Sequence, residues 1–327
     1  MEFRVSVVIP VYNAGPFIRQ AVESALAQTE TAEVVLVEDK SPDDSLAVCQ
    51  QLAHEFPQVR LFRHPGGVNR GAGPSRNLGI TNSTFPYIAF LDADDFYLPS
   101  RFTVVQQVFK EHPECDGVYE AVGMHFEDEE GKSRWLESDM AGIRMTTMEA
   151  GIPPEELYAA LTRGGHGHIH LNSLVIRRTV LDRSGNFNEN IPNTRGEDTD
   201  FILRLSAVGQ LFPGSVMEPT SMRRVHAGNR VSARRSVESI EHEKLNLCKA
   251  TYAWVRVHGT PVQLDLAFRR LIQQWLSFPA VGSNCQKLLR LVAFPFHYPA
   301  AFGERAFWRE GWETFKALIR SDWLRLP

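Results

Sequence analysis

Residues 88–95 read IAFLDADD. The apolar half of this stretch is typical of a buried strand, and it ends in three aspartates, Asp92, Asp94 and Asp95. Clustered carboxylates repel one another unless a cation lies among their oxygens, so Asp-x-Asp at a strand end indicates a site for a hard divalent ion. A second interpretation needs no metal, because a polar turn with Asp95 can cap a helix that begins near Pro99.

The whole composition restricts the class of protein. The chain has 327 residues, of which 43% are hydrophobic, enough for one large domain or a domain with an appendage. A net charge of -4 gives no basic excess, so we expect no nucleic-acid partner. The four cysteines form no CxxC pair, the N-terminus lacks a secretory signal, and no apolar run reaches about 18 residues. We therefore expect a cytoplasmic protein without a membrane span.

Strands and helices alternate along the first ninety or so residues. Buried strands are predicted over residues 4–9, 33–37, 59–62 and 87–91, and helices over residues 17–26, 45–56 and 74–81. This order predicts a doubly wound, mostly parallel α/β sheet. Ligands of such sheets bind outside the carboxyl ends of the strands.

Polar residues follow each of these strands. The Tyr12 ring can border a base, and Asp39 can accept from a base N–H. The glycine-rich loop over residues 66–73 can face a phosphate as it enters the next helix, where Arg76 supplies a fork for phosphate oxygens. A divalent cation on the aspartates of the fourth strand would neutralise a pyrophosphate. Together they predict a nucleotide-diphosphate site.

Five motifs lie in order between residues 4 and 232: VSVVIPVYN, VEDKSPDDS, NRGAGPSRNLG, FLDADD and GEDTDFILRL. In this combination they resemble the signatures of family 2 glycosyltransferases with the GT-A fold. The resemblance implies a soluble, inverting enzyme that depends on Mn²⁺ or Mg²⁺. It would move a sugar from a nucleotide diphosphate, with UDP as the expected carrier, to a glycan or lipid-linked acceptor, as in polysaccharide biosynthesis for the cell envelope.

The resemblance also assigns roles to single positions. The donor-contacting positions are Pro10, Tyr12, Asn13, Asp39, Arg76, Asn77, Asp92 and Ala93. The metal ligands are Asp94 and Asp92, and His226 resembles a late histidine that approaches the metal or the diphosphate. Asp198 matches the catalytic base, with Glu197 beside it in the catalytic set. These assignments favour the metal interpretation of the aspartates and leave Asp95 as the helix cap.

One motif departs from the family pattern. The usual pair of aspartates after the second strand is Glu38-Asp39 here, and Lys40 stands where glycine is common. The second carboxylate is retained, so base recognition is expected to survive. The longer Glu38 and the charged Lys40 leave GDP and dTDP open beside UDP.

The GEDTD motif places three carboxylates at the start of a predicted helix. Capping and the helix dipole would account for one of them. A base must reach the acceptor hydroxyl, and the positive end of a helix favours an ionised carboxylate. We expect Asp198 to take the hydroxyl proton during a single in-line displacement that inverts the anomeric carbon.

The acceptor half has weaker signals. Residues 115–136 predict strands joined by a hairpin turn at the acidic tip 127–132, and residues 140–154 predict a mobile loop over the site. His166, His168 and His170 alternate in a glycine-rich run. We favour a glycine hinge leading into a strand over residues 170–176, with His166 or His168 lining the acceptor pocket, over a second metal site.

The C-terminal region predicts helices over residues 240–257 and 264–276, a proline-broken apolar segment over 291–302, and an aromatic stripe over 307–319. Core packing or a homodimer contact is one interpretation of the stripe. An interfacial helix on the inner face of the plasma membrane is the other. We expect a glycosyltransferase domain over residues 1–235, with a donor half over 1–112 and an acceptor half over 113–235. A helical extension would cover residues 236–327.

Two rival functions remain on the same fold. One is a non-catalytic nucleotide- or glycan-binding module, since a fold alone does not establish chemistry. The other is a sugar nucleotidyltransferase, which would release pyrophosphate. A nicotinamide dehydrogenase is not expected, because PVYNAG rather than G-x-G-x-x-G follows the first strand.

Overall fold

The computed structural model describes residues 2–138, 141–191, 196–226, 228–229, 236–277, 284–298, 303, 307–309, 311–312 and 316. The chain forms two compact units. The first comprises residues 1–193 and 197–234, and the second comprises residues 194–196 and 235–327. The division into donor, acceptor and helical regions stays a prediction about function.

Strands and helices alternate through the first unit. The strands are β1 Val5–Val11, β2 Thr31–Glu38, β3 Val59–Arg63, β4 Tyr87–Phe90, β5 Phe96–Tyr97, β6 Gly117–Tyr119, β7 Ala121–Phe126, β8 Met145–Thr146, β9 Val175–Arg177, β10 Leu211–Pro213 and β11 Pro219–Val225. The helices are α1 Ile18–Leu26, α2 Ser45–Glu55, α3 Ala72–Asn82, α4 Thr103–Glu111, α5 Glu129–Leu136, α6 Pro154–Arg163, α7 Leu181–Ser184 and α8 Glu197–Val208.

A seven-stranded sheet forms the centre of this unit, in the order β10-β6-β9-β4-β1-β2-β3. The pairs β1–β2, β1–β4, β2–β3 and β6–β10 are parallel, whereas β9 runs antiparallel between β4 and β6. This is the mostly parallel α/β sheet that the sequence predicts. A second sheet, of four strands in the order β5-β11-β7-β8, was not predicted.

Helices cover both faces of the large sheet. Along β1, Val7 belongs to one buried cluster, with Ile18 of α1, and Val8 to another, with Ile80 of α3 and Phe201 of α8. Alternate side chains of a strand point to opposite faces, and both faces are buried here, so β1 is a nearly continuous apolar run. The polar residues lie instead beyond the carboxyl ends of the strands.

The acidic tip after β7 is not a hairpin turn, so that prediction is wrong. Residues 129–136 form α5, and the Asp128 side chain accepts the Gly131 N–H at 2.5 Å as its N-cap. Glu129 and Glu130 lie in the first turn, where the helix dipole favours negative charge. Trp135, 2% exposed, packs the helix into the unit.

The segment around residue 145 has more regular structure than the sequence indicates. Strand β8 pairs with β7, and a bridge joins Met148 to Gly167. The predicted strand over 170–176 is shorter, because Leu171–Ser173 form a 3-10 turn and β9 begins at Val175. A cover over the site stays a prediction, and residues 139–140 lie outside the described part.

The second unit contains α9 Val237–His258, α10 Pro261–Ser277 and α11 Asn284–His297, with Pro295 inside the last helix. The ring of Phe268 lies 5.4 Å from Tyr252 and 5.7 Å from Phe294, which forms an aromatic core. Among the described residues, none of the helices combines the length and the hydropathy needed to cross a membrane.

The aromatic stripe divides between core and surface. Phe307 is buried and stacks on Phe294 with 5.9 Å between ring centroids. Trp308 and Trp312 are 59% and 58% exposed. Residues 313–315 and 317–319 of the stripe lie outside the described part. Part of the stripe therefore packs in the core, while a dimer contact and a membrane contact both stay predictions.

Candidate functional site

Asp39 follows β2 and holds the glycine-rich loop. Its Oδ1 accepts the Arg70 N–H and its Oδ2 accepts the Gly71 N–H, each at 2.7 Å, and its carbonyl accepts Nδ2 of Asn69 at 2.7 Å. Gly71 has φ +91°, where a side chain would be strained, and it directly precedes α3. Asp39 therefore shapes the loop, and it is 2% exposed with a backbone N–H bound to each carboxylate oxygen.

The ends of β1 and β2 meet beside this loop. The Asn13 N–H donates to Ser41 Oγ at 3.2 Å, and Glu38 Oε1 accepts the Ser41 N–H at 2.5 Å. Asn13 and Lys40 have φ of +53° and +59°. Lys40 thus adopts the left-handed conformation that explains why glycine is common at this position. The Tyr12 side chain is 46% exposed at this edge.

Arg76 of α3 is a buried cation between two acidic residues. Its Nη2 lies 2.7 Å from Asp92 Oδ1, its Nη1 lies 3.5 Å from Glu197 Oε1, and its guanidinium lies 5.5 Å from the centre of the Phe187 ring. Burial opposes the charge, but Asp92, Glu197 and Asp198 raise the pKa of Arg76 above its usual value. Among the described residues, Nε and Nη1 of Arg76 have no hydrogen-bond acceptor.

The three carboxylates at the start of α8 have different surroundings. Glu197 faces Arg76, yet burial and Asp198 raise the pKa of Glu197. Asp198 is half-buried, and its Oδ1 accepts the Thr199 N–H at 2.7 Å. Asp200 is fully buried and accepts from Nε of Arg204 at 2.8 Å. Among the residues that the structure describes, Asp198 is thus the carboxylate of this motif that is neither fully buried nor paired with an arginine.

Asp94 meets the late histidine. Asp94 Oδ2 lies 3.3 Å from His226 Nε2 and accepts from Asn229 Nδ2 at 3.0 Å. His226 follows β11, and its ring packs on Phe17 with 4.6 Å between centroids. The structure therefore brings together Asp94 and His226, which are 132 residues apart in sequence.

Asp95 does not cap a helix, so that prediction is wrong. Helix α4 begins at Thr103, with Phe102 as its N-cap. Asp95 is 2% exposed and accepts from Asn172 Nδ2 at 2.5 Å and from the Arg224 N–H at 2.7 Å. Burial, together with Asp94 and Asp92, raises the pKa of Asp95 well above its usual range. Such a buried carboxyl is an internal anchor of the turn.

His170 was not predicted as a site residue, and it joins the acidic group. One ligand atom from each of Asp92, Asp95 and His170 lies within 4.8 Å of the others. Burial lowers the pKa of His170, and Arg223 adds to this against the opposing charges of Asp92 and Asp198. The alternating histidines were the available signal for His170. We find no local sequence signal for Asn172 or Arg224.

The two histidines predicted for the acceptor pocket lie in the segment that bridges to residues 147–149. His166 Nδ1 lies 2.8 Å from Glu149 Oε2, and the His168 N–H donates to the Thr147 carbonyl at 2.9 Å. His168 is exposed, and the His166 side chain is 43% exposed. Their role toward an acceptor stays a prediction.

Three residues that were predicted to contact the nucleotide-sugar donor are packed against other parts of the protein. Asn77 uses its whole amide on one segment, since Nδ2 donates to the Phe187 carbonyl at 2.9 Å and Oδ1 accepts the Phe187 N–H at 2.9 Å. Pro10 lies within β1 opposite Val37, and Ala93 is 5% exposed between the aspartates. A donor contact by these three residues stays a prediction.

The donor atoms present suit a hard divalent cation, because carboxylate oxygens and imidazole nitrogen are ligands of Mn²⁺ and carboxylates of Mg²⁺. Asp95 fits this role poorly, since both of its oxygens already accept protein donors. Asp94 and Asp92 are only half-buried, which leaves them accessible to an ion. His226 and His170 flank them from two different segments.

The fold is that of GT-A glycosyltransferases. A crystal structure of TarS 1–349 from S. aureus in complex with UDP-GlcNAc matches with a TM-score of 0.54 and 16% sequence identity. The match covers 97% of this chain and 91% of that chain. At this identity the likeness concerns the fold, and the GT-A prediction is confirmed.

The family follows from the sequence match. The model described as Glycosyl transferase family 2 matches residues 6–185, and the chain belongs to this family. An uncharacterized glycosyltransferase of Rickettsia felis is 32% identical over 206 residues, which are 62% of this chain and 32% of that protein. YibD of Escherichia coli, also called an uncharacterized glycosyltransferase, is 41% identical over 100 residues, 30% of this chain and 28% of that protein. The matches therefore span about a third of the length of these relatives.

Proposed function

We propose that this chain transfers a sugar from a nucleotide-diphosphate donor to a hydroxyl of a glycan or lipid-linked acceptor, with inversion at the anomeric carbon. The observation that carries the proposal is Arg76, a buried arginine of α3 that pairs with Asp92 at 2.7 Å and whose Nε has no acceptor among the described residues. A buried unsatisfied donor costs about 1–3 kcal/mol. An anionic diphosphate oxygen would supply the missing acceptor.

UDP is the carrier that we propose. TarS 1–349, which shares the fold over 97% of this chain, was crystallised with UDP-GlcNAc. In this chain the exposed Tyr12 ring and the Asp39 carboxylate lie at the ends of β1 and β2, where a base can meet an aromatic face and an acceptor. A base N–H would be a second donor to one Asp39 oxygen, beside the loop N–H that this oxygen already accepts.

Asp94 and Asp92, with His226, are the residues that would hold a divalent cation. When bound there, Mn²⁺ or Mg²⁺ would neutralise charge that develops on the leaving diphosphate. Arg76 Nη2 donates to Asp92 Oδ1 at 2.7 Å, so an arginine adjoins one of the proposed metal ligands. Together, the cation and Arg76 would supply positive charge for the leaving group.

Asp198 is the base that we propose. It lies at the N-terminus of α8, next in sequence to Glu197, which faces Arg76. The charge of Asp198 contributes to raising the pKa of Arg76, the residue that would bind the donor diphosphate. A half-buried carboxylate at this place can accept the proton of an acceptor hydroxyl as that oxygen attacks. Glu197 would then serve to hold Arg76.

Replacement of the proposed base tests this function. Asp198→Asn should lower the rate of UDP release from a UDP-sugar by about 10²- to 10⁴-fold, because it removes the general base. Binding of UDP with Mn²⁺, measured by calorimetry, should stay unchanged. Asp182→Asn is the matched control, since Asp182 is an exposed carboxylate in the first turn of α7.

Three outcomes would contradict the proposal. Turnover by Asp198→Asn at the wild-type rate would exclude the base. Nucleotide binding without any sugar transfer by the wild-type chain, over a panel of donors and acceptors, would favour a binding module. Pyrophosphate as the product, formed from a nucleoside triphosphate and a sugar phosphate, would identify a nucleotidyltransferase.

A further inference from the structure

Asn172 connects the two ends of the aspartate turn. It is fully buried in the 3-10 turn Leu171–Ser173. Its Oδ1 accepts the Asp92 N–H at 3.0 Å, and its Nδ2 donates to Asp95 Oδ2 at 2.5 Å. The turn is closed by the Asp95 N–H, which donates to the Asp92 carbonyl at 3.0 Å. One amide therefore determines the spacing of residues 92 and 95, and Asp94 lies between them.

The turn is held on its other side by β11. The Arg224 N–H donates to Asp95 Oδ1 at 2.7 Å, and Arg224 Nε donates to the Asp94 carbonyl at 2.8 Å. The Arg224 guanidinium lies 5.0 Å from the centre of the Phe17 ring and 5.3 Å from that of Phe96. Asp95 is thus bound by a side-chain amide from one segment and by a backbone N–H from another.

Asn172 is itself held rigidly. Arg101 Nη2 donates to the Asn172 carbonyl at 3.0 Å. Arg101 is completely buried and pairs with the equally buried Glu120 at 2.5 Å. Separation of a buried pair of this kind is unfavourable, because each charge would be left without compensation. The buried Arg101–Glu120 pair therefore fixes the position of Asn172 through its backbone carbonyl.

We infer that Asn172 is a positioning residue, which sets the directions of the Asp92 and Asp94 carboxylates by holding the Asp92 N–H and the Asp95 carboxylate. The inference rests on the proposed function, because it assigns to those two carboxylates the binding of a divalent cation. Residues that orient ligands in this way typically change metal affinity by about 10- to 100-fold when replaced.

Exchange of the two side chains, by Asp95→Asn together with Asn172→Asp, tests the inference. In Asp95→Asn an amide NH₂ faces either the Asn172 amide NH₂ or the Arg224 N–H, so two donors oppose each other. In Asn172→Asp two buried carboxylates face each other. In the double variant the carboxylate introduced at position 172 would accept both the Asp92 N–H and the NH₂ of the amide introduced at position 95. The oxygen of that amide would still accept the Arg224 N–H.

The experiment measures Mn²⁺ affinity by calorimetry in the presence of UDP, kcat and KM for UDP release, and thermal unfolding. We expect each single variant to bind Mn²⁺ about 10- to 100-fold more weakly and the double variant to recover most of this loss. The KM for the donor measured at saturating Mn²⁺ should change less than the Mn²⁺ affinity.

Ser6→Ala is the matched control. Ser6 is fully buried at the start of β1, where its Oγ donates to Glu33 at 2.8 Å and accepts the Phe85 N–H at 3.1 Å. This variant loses a buried hydrogen-bonding group at the opposite edge of the sheet. It should lower the unfolding temperature and leave Mn²⁺ affinity unchanged.

The inference is overturned if the double variant binds Mn²⁺ no better than the weaker single variant. It is also overturned if the single variants lose only thermal stability, as Ser6→Ala should. A wild-type chain that binds Mn²⁺ and UDP but transfers no sugar would instead contradict the proposed function, and the exchange would still test the positioning role.

Discussion

Two neighbouring aspartates show how the surroundings of a residue decide its role. Burial and the charges of Asp94 and Asp92 raise the pKa of Asp95. Burial opposes ionisation of Asp92 as well, but Arg76 and His170 outweigh it and lower the pKa of Asp92. The carboxylate beside the arginine is therefore suited to a cationic ligand, while the other holds the backbone.

Arg76 has a role that lysine cannot fill. We expect Arg76→Lys to weaken binding of UDP by about 10- to 100-fold, because the ammonium cannot contact Asp92, Glu197 and a diphosphate oxygen at once. Calorimetry with UDP and Mn²⁺ would measure this. Arg60→Lys is a control of the same chemistry, since Arg60 pairs with Glu33 at 3.0 Å and is 40% exposed. Equal UDP affinity of both variants and the wild type would exclude a phosphate role for Arg76.

At the scale of the elements, the connections after the strands carry the site. The turn after β2 forces Lys40 into the left-handed region, and the loop before α3 does the same to Gly71. A residue with a side chain is destabilised by about 1–2 kcal/mol in this conformation. Its unfolded state has less conformational entropy than that of glycine, which offsets only part of this cost. The turn thus retains a strained residue at the edge of the proposed base pocket.

Replacement of this residue by glycine should relieve the strain. Lys40→Gly should raise the free energy of unfolding by up to about 1 kcal/mol, as measured by urea denaturation. Lys110→Gly, in the last turn of α4, is the opposite case and should lower it by about 0.5–1 kcal/mol, because glycine weakens a helix. A loss of stability in both variants would show that the Lys40 side chain makes a compensating contact.

At the scale of the whole molecule, donor and metal binding should appear as stability. A ligand at 100 times its Kd stabilises the folded chain by about 2.7 kcal/mol. We expect UDP with Mn²⁺ to raise the Tm by several degrees, and EDTA to abolish the effect. GDP and dTDP should give smaller shifts. Equal shifts from all three would contradict a UDP-specific pocket, and no shift from any would contradict the proposed donor site.

The helices and strands of the first ninety or so residues could be predicted closely from local pattern. The predicted helix over 17–26 is Ile18–Leu26, and the strand over 33–37 extends to Thr31–Glu38. Apolar periodicity determines such elements because each buries one face or two. The small second sheet was not predicted. Strands β5 and β8 have two residues each, too few to show a periodic pattern, and β11 pairs with β7, which is far away in sequence.

The sequence by itself determined the fold, the family, and the strand-end positions of Asp39, Asp92 and Asp94, because strand period and motif order can be read directly along the chain. Only the tertiary structure decided what surrounds the aspartates. Asn172 reaches Asp92 across 80 positions, and Arg224 reaches Asp95 across 129. No local pattern encodes such pairings, since they depend on which chain segments the packed sheets bring together. The contacts with Asn172 and Arg224 also explain why Asp95 is the buried anchor of the turn and not the predicted helix cap.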